Sequence, residues 1–100
     1  MPRRVIITFA ESALSDMHDI RAWYTEQLVP EVGERLLVEV FSKVERLVDH
    51  PESGRIVPEF NLVNLREIIH PPFRIVYRVD ERRVRVVRVW RSERLLKIDP

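Results

Sequence analysis

The spacing of hydrophobic residues changes period along the chain, and each change marks an element. Val5, Ile6, Ile7, Thr8 and Phe9 form a β-branched and aromatic run that predicts a strand over 3–9. Ala10-Glu11-Ser12 bounds it, with Ser12 placed to cap a following helix. Ala13, Met17, Ile20, Tyr24 and Leu28 then recur at steps of three and four, predicting a helix over 13–28. Trp23 widens its apolar stripe, and Asp16, Asp19, Arg21 and Glu26 take the other side. Pro30 suits a first helical turn. Val32, Leu36, Val40, Val44 and Leu47/Val48 form a second stripe over 31–49, broadened by Leu37 and Phe41. His50-Pro51 ends it, because the residue before proline avoids helical angles. So short a link between two helices predicts an antiparallel hairpin.

Residues 51–60 read as a loop, with Gly54 marking a specific turn. Strand-like alternation follows. Over 62–70 Val63, Leu65 and Ile69 share one side, so that Arg66 and Ile68 take the other. Over 73–80 Phe73, Ile75, Tyr77 and Val79 alternate with Arg74, Val76 and Arg78. Over 83–91 the phase slips at Val86-Val87, and a β-bulge would keep Val84, Val86, Val87 and Val89 inward. Pro71-Pro72 and residues 80–82 are connections of hairpin length. The predicted order is β-α-α-β-β-β over a single domain, 1–100. This is a two-layer α+β fold, with a helical hairpin on one face of a mainly antiparallel sheet. The pattern leaves open which strand the first one joins, and residues 92–100 carry no assignable pattern.

Composition excludes several classes. The absence of cysteine removes disulfides, thiolate nucleophiles and thiolate-bound zinc. No apolar run approaches the length of a membrane span, and Met1-Pro2-Arg3-Arg4 followed by three apolar residues is too short for a signal peptide. The expected setting is soluble and cytoplasmic. The net charge of +1 hides a division. Residues 1–61 hold seven Lys/Arg against eleven Asp/Glu, and residues 62–100 hold ten against five, nine of the ten being arginine. An arginine-rich half fits an anionic partner, nucleic acid or acidic protein, or a charged face that keeps a sheet soluble.

Few residues suggest chemistry of their own. There is no glycine-rich phosphate loop, and His18, His50 and His70 lack metal-ligand spacing. The five serines have no evident base. No metal, cofactor or confident catalytic residue is expected. What remains is the sheet face turned from the helices, where strand phase gathers Arg66, Arg74, Arg78, Arg85, Arg88 and Trp90. Such a face could hold phosphates and stack a base, or receive the acidic and aromatic residues of a peptide. Glu59 and Glu93 are the carboxylates nearest it in sequence and weak candidates for a general base. Glu67 is expected to pair with an arginine at a sheet end.

The pattern Leu47…His50-Pro51…Gly54-Arg55…Val57-Pro58-Glu59, then Leu65-Arg66-Glu67-Ile68, Phe73-Arg74-Ile75-Val76-Tyr77-Arg78-Val79 and Val89-Trp90-Arg91, resembles the RelE/ParE toxin superfamily. The resemblance spans nearly the whole chain, and the loop at 51–59 and the long second helix look closer to ParE. It implies the toxin of a type II toxin–antitoxin, or plasmid stabilisation, system. A cognate antitoxin would neutralise it, in a hetero-oligomer. A ParE-like member would inhibit DNA gyrase without being an enzyme. The alternative is a RelE-like endoribonuclease acting on mRNA in the ribosome. The family often has a histidine near the end of the last strand, where this chain has Trp90 followed by Arg91-Ser92-Glu93-Arg94. Arg66 and Arg74 match arginines that would hold phosphate in RelE-like members, and Tyr77 matches a family tyrosine that strand phase turns to the core. The candidate target- or RNA-binding residues are therefore Arg66, Arg74, Arg78, Arg88, Trp90 and Arg91.

Overall fold

The computed structural model describes residues 5–91. Strand β1 (Ile6–Phe9) leads into helix α1 (Glu11–Glu26), and α2 (Pro30–Glu45) follows, extended by a 3-10 turn at Arg46–Val48. Four further strands follow among the described residues: β2 (Arg55–Ile56), β3 (Leu65–His70), β4 (Phe73–Asp80) and β5 (Arg83–Arg91). They form one sheet in the order β1-β5-β4-β3-β2. Among the described residues only the β1–β5 pairing is parallel, with Ile6 beside Arg83 and Phe9 beside Val86. That parallel pairing is made possible by the helical hairpin, which carries the chain across the sheet between β1 and the meander. The predicted two-layer α+β architecture is the one observed, with β2 as an addition. Its two residues sit in the segment read as loop, too short to show alternation.

One core joins the layers. Met17, Ile20 and Tyr24 of α1 and Leu36, Val40 and Val44 of α2 are buried against Phe73, Ile75, Tyr77, Val84, Val86 and Val89 of the sheet. Gly33 lets the helices approach closely, since a Cβ there would lie 2.9 Å from the Cβ of Tyr24. The bulge occurs where the phase slip predicts it: Tyr77 pairs with Val86 and Val76 with Arg88, so that no β4 residue stands opposite Val87. Val84, Val86 and Val89 enter the core, while Val87 is only half-buried.

Four local expectations change. Ala10, not Ser12, occupies the N-cap of α1. Ser12 lies inside the first turn and its hydroxyl donates to the Val87 carbonyl at 2.6 Å. Leu28 is not part of the apolar stripe. It takes the left-handed conformation (φ 67°) after α1, where the Val29 amide closes the helix end onto the Tyr24 carbonyl. Trp23 and Phe41, expected to broaden the stripes, are half-exposed. The fourth concerns β3. Its register sets Ile68 against Ile75 and Arg66 against Tyr77, so these residues share the helix side and Ile69 faces outward. The two-residue connection Pro71-Pro72 pairs His70 with Phe73, and that pairing fixes the parity of the whole strand. Gly54, expected to mark a specific turn, has φ outside the left-handed region. It is required by proximity, because a Cβ there would meet the Glu67 carbonyl and the Tyr77 hydroxyl, both at 2.6 Å.

Candidate functional site

Cross-strand register defines the sheet face away from the helices. Arg74 stands beside Trp90, Val76 beside Arg88, and Arg78 beside Arg85. Leu65 and Glu67 of β3 continue these rows on one side, and Thr8 of β1 on the other. Five of the expected residues (Arg74, Arg78, Arg85, Arg88 and Trp90) thus share this face. Arg66 does not, for the reason of parity given above. Nor does Arg91, which pairs with Phe73 on the helix side.

Arg74 is not open to a ligand. It is 7% exposed and its guanidinium lies between two carboxylates. Nε donates to Glu67 Oε1 at 2.6 Å, and NH1 and NH2 reach both oxygens of Glu59 at 2.8 Å. Glu67 is 1% exposed, and its second oxygen accepts from Arg55 Nε at 2.6 Å. A buried carboxylate needs such company to stay charged. The result is an alternating chain, Arg55–Glu67–Arg74–Glu59, that fastens the loop after β2 to the sheet. The expected pairing of Glu67 is therefore double. Hydrogen bonds from Arg74 hold the Glu59 carboxyl down at about 2, from an ordinary 4.5. The same bonds, Glu59's above all, hold Arg74 more firmly in its charged form. Glu59 is thus a ligand of Arg74, in a state poorly suited to accepting a proton.

Arg66 also works on this loop. Its Nε donates to the Val63 carbonyl, and NH1 donates to the carbonyls of Glu52 and Gly54, at 3.0–3.2 Å. Tyr77 is fully buried, as its strand phase predicts, and its hydroxyl accepts the Gly54 amide hydrogen at 2.9 Å. Burial pushes its phenol up, against the opposing effect of the Gly54 hydrogen bond.

The far end of β5 is tied to α1. Past Val86, where β1 ends, the strand has an uncovered edge, and α1 supplies what a neighbouring strand would. Asp16 Oδ2 accepts the Val89 amide hydrogen at 2.9 Å, while both its oxygens receive Arg88 at 2.8 Å. That hydrogen-bonded pairing raises the Arg88 pKa. Arg88 also lies 4.9 Å from the Trp90 ring centroid, and Arg91 lies 5.0 Å from that of Trp23 while donating to the Tyr24 hydroxyl at 3.3 Å. Asp16 was missed because helical periodicity assigns it to the polar side. The only sequence hint was its place beside the stripe residue Met17.

Arg78 and Arg85 remain. Both are exposed, and neither has a carboxylate within 4.0 Å among the described residues. His70, at the end of β3, meets Glu39 of α2 at 3.0 Å. No group of three or more His, Asp or Glu side chains suited to a metal ion occurs among the described residues. No described helix is long and apolar enough to cross a membrane. Glu93 lies outside the described residues.

Residues 7–96 match the family described as the ParE toxin of type II toxin–antitoxin systems, parDE. The chain is 32% identical over 84 residues to Toxin RelE2 of Caulobacter vibrioides, covering 83% of this chain and 90% of that protein. Among solved structures it is similar to the chromosomal ParDE toxin–antitoxin system of P. aeruginosa, with TM-score 0.74 and 19% identity over 88% of this chain and 96% of that one. It is also similar to the toxin–antitoxin complex RelBE2 of Mycobacterium tuberculosis, with TM-score 0.58 and 19% identity over 88% of this chain and 98% of that one. At such identities these two likenesses concern the fold.

Proposed function

Because the chain belongs to the ParE toxin family of type II toxin–antitoxin systems, within the RelE/ParE superfamily, we propose that it acts by docking onto a protein target, DNA gyrase, and is neutralised by a cognate antitoxin. The observation that carries this reading is the state of Arg74. A nuclease needs cations aimed at the charge that develops on the transferred phosphate. Arg74, the arginine best placed for that on the open face, is saturated by Glu67 and Glu59. Both carboxylates would repel a phosphate. Arg66 is likewise spent on three backbone carbonyls. Trp90 stands beside Arg74, at the position where the family resemblance puts a histidine, and its indole does not titrate near neutral pH.

The alternative, a ribosome-dependent endoribonuclease, draws support from the exposed Arg78 and Arg85 and from the name of the relative Toxin RelE2. Two assays run side by side separate the readings: purified chain with gyrase and supercoiled DNA, and purified chain with translating ribosomes and labelled mRNA. Inhibition of gyrase without mRNA cleavage is the expected result. Codon-dependent cleavage of mRNA would replace the first reading with the second.

A further inference from the structure

We propose that the Arg78–Arg85 pair, together with the loop displaying Phe60, Leu62 and Val63, forms the landing surface for an acidic segment of the antitoxin that also carries apolar side chains. This deepens the partner assignment above and rests on it. Arg78 and Arg85 are direct cross-strand neighbours on the open face. Like charges so placed oppose strand pairing. On the same face Arg55, Arg74 and Arg88 each hold a carboxylate of this chain. The Arg78–Arg85 pair holds none among the described residues, and it is complete only when an anion arrives.

The loop supplies a second and independent observation. Phe60, Leu62 and Val63 are 57%, 49% and 69% exposed, three large apolar residues within four positions. Their backbone is nonetheless pinned. Arg66 grips the Val63 carbonyl, Glu59 is clamped by Arg74, the Val57 amide donates to Leu65, and the Val79 amide donates to Asn64. A pinned loop loses little freedom on binding, so its apolar contacts count towards affinity. Leu65, which follows it, is the cross-strand partner of Arg78. The apolar and cationic parts therefore adjoin.

Charge selects the occupant. The two helices carry eight acidic residues against three basic ones, so their outer surface repels an acidic segment while the open face attracts it. A nucleic-acid backbone would use the arginines but leave the apolar loop without a partner. That asymmetry favours a peptide.

The test titrates the purified antitoxin encoded beside this chain's gene with the full-length chain and its variants at low and moderate salt. Urea denaturation first establishes that each variant is folded. Arg78→Glu/Arg85→Glu is expected to lose affinity about 100-fold and to flatten the salt dependence of association. Arg78→Gln/Arg85→Gln should fall between it and wild type, and Leu62→Ser/Val63→Ser should weaken binding without changing its salt dependence. Val38→Ser on the exposed face of α2 should bind like wild type. Wild-type affinity in Arg78→Glu/Arg85→Glu, or a loss confined to Val38→Ser, would overturn the proposal. So would an arginine variant that fails to bind a short oligouridylate yet binds antitoxin normally, since the pair would then serve nucleic acid. An antitoxin that does not bind the wild-type chain would instead remove the partner assignment on which the proposal stands.

Discussion

Replacing Arg74 with alanine tests whether this arginine is a fastening or a reagent. In the structure its guanidinium joins Glu67, fully buried, to Glu59, about half exposed. Removing one partner of a buried ion pair costs about 3–5 kcal/mol, because the other charge is left without compensation. Here Glu67 keeps Arg55 on its second oxygen, and Glu59 is released towards water, where it is readily solvated. The expected cost therefore lies at or below the lower end of that range, about 2–3 kcal/mol. For a domain of this size about 1 kcal/mol moves the melting temperature by 4–8 °C, so Arg74→Ala should melt roughly 10 °C or more below wild type. Arg78→Ala, which removes an exposed side chain without a carboxylate partner among the described residues, should stay within about 0.5 kcal/mol of wild type. Thermal and urea unfolding of the three proteins measure this directly. An Arg74→Ala protein that melts within about 2 °C of wild type would refute the argument, since it would show that Glu67 does not depend on Arg74. The result bears on function too. Lost toxicity in Arg74→Ala with lost stability speaks for the fastening, whereas a fully stable protein that has lost activity would return Arg74 to the chemistry.

Three further outcomes follow from the same geometry. Glu59 has its pKa lowered on folding from 4.5 to about 2, so its contribution to stability is complete above 4.5 and is lost as pH falls towards 2. Half-exposed and screened, it contributes modestly; Glu59→Gln should have a lower urea midpoint than wild type at pH 6 and should converge with it near pH 2, and parallel acid profiles would refute the assignment. Gly54→Ala brings a methyl to 2.6 Å from the Glu67 carbonyl and the Tyr77 hydroxyl and should cost about 1–3 kcal/mol, checked by urea denaturation with Gly33→Ala as a second close-packed glycine. Asp16→Ala leaves the Val89 amide and the Arg88 guanidinium without their partner and should cost about 1–3 kcal/mol; hydrogen exchange at the Val89 amide should quicken, and unchanged protection there would show that α1 does not substitute for a strand.

Much of the fold was legible in residue patterns because burial imposes them. The helical stripes of Met17, Ile20, Tyr24, Leu36, Val40 and Val44 repeat at the period of a helix that packs one face. The β4 alternation from Phe73 to Val79 and the phase slip at Val86-Val87 carried even the bulge. The family resemblance rested on the same segments. The parity of β3 was also implicit, since a two-residue turn at Pro71-Pro72 obliges His70 to face Phe73. The apolar alternation of Val63, Leu65 and Ile69 points to the opposite parity. Tertiary structure alone decided what the arginines do. Sequence placed Arg66, Arg74, Arg78 and Arg88 as equivalent cations, but their partners come from distant segments: Glu59 and Glu67 for Arg74, the carbonyls of Glu52 and Gly54 for Arg66, Asp16 for Arg88. Hydrophobic periodicity records which way a side chain points relative to a core. A charged side chain is governed by which opposite charge lies within a few ångströms, and that is set only when loops and helices far apart in the chain fold against one sheet.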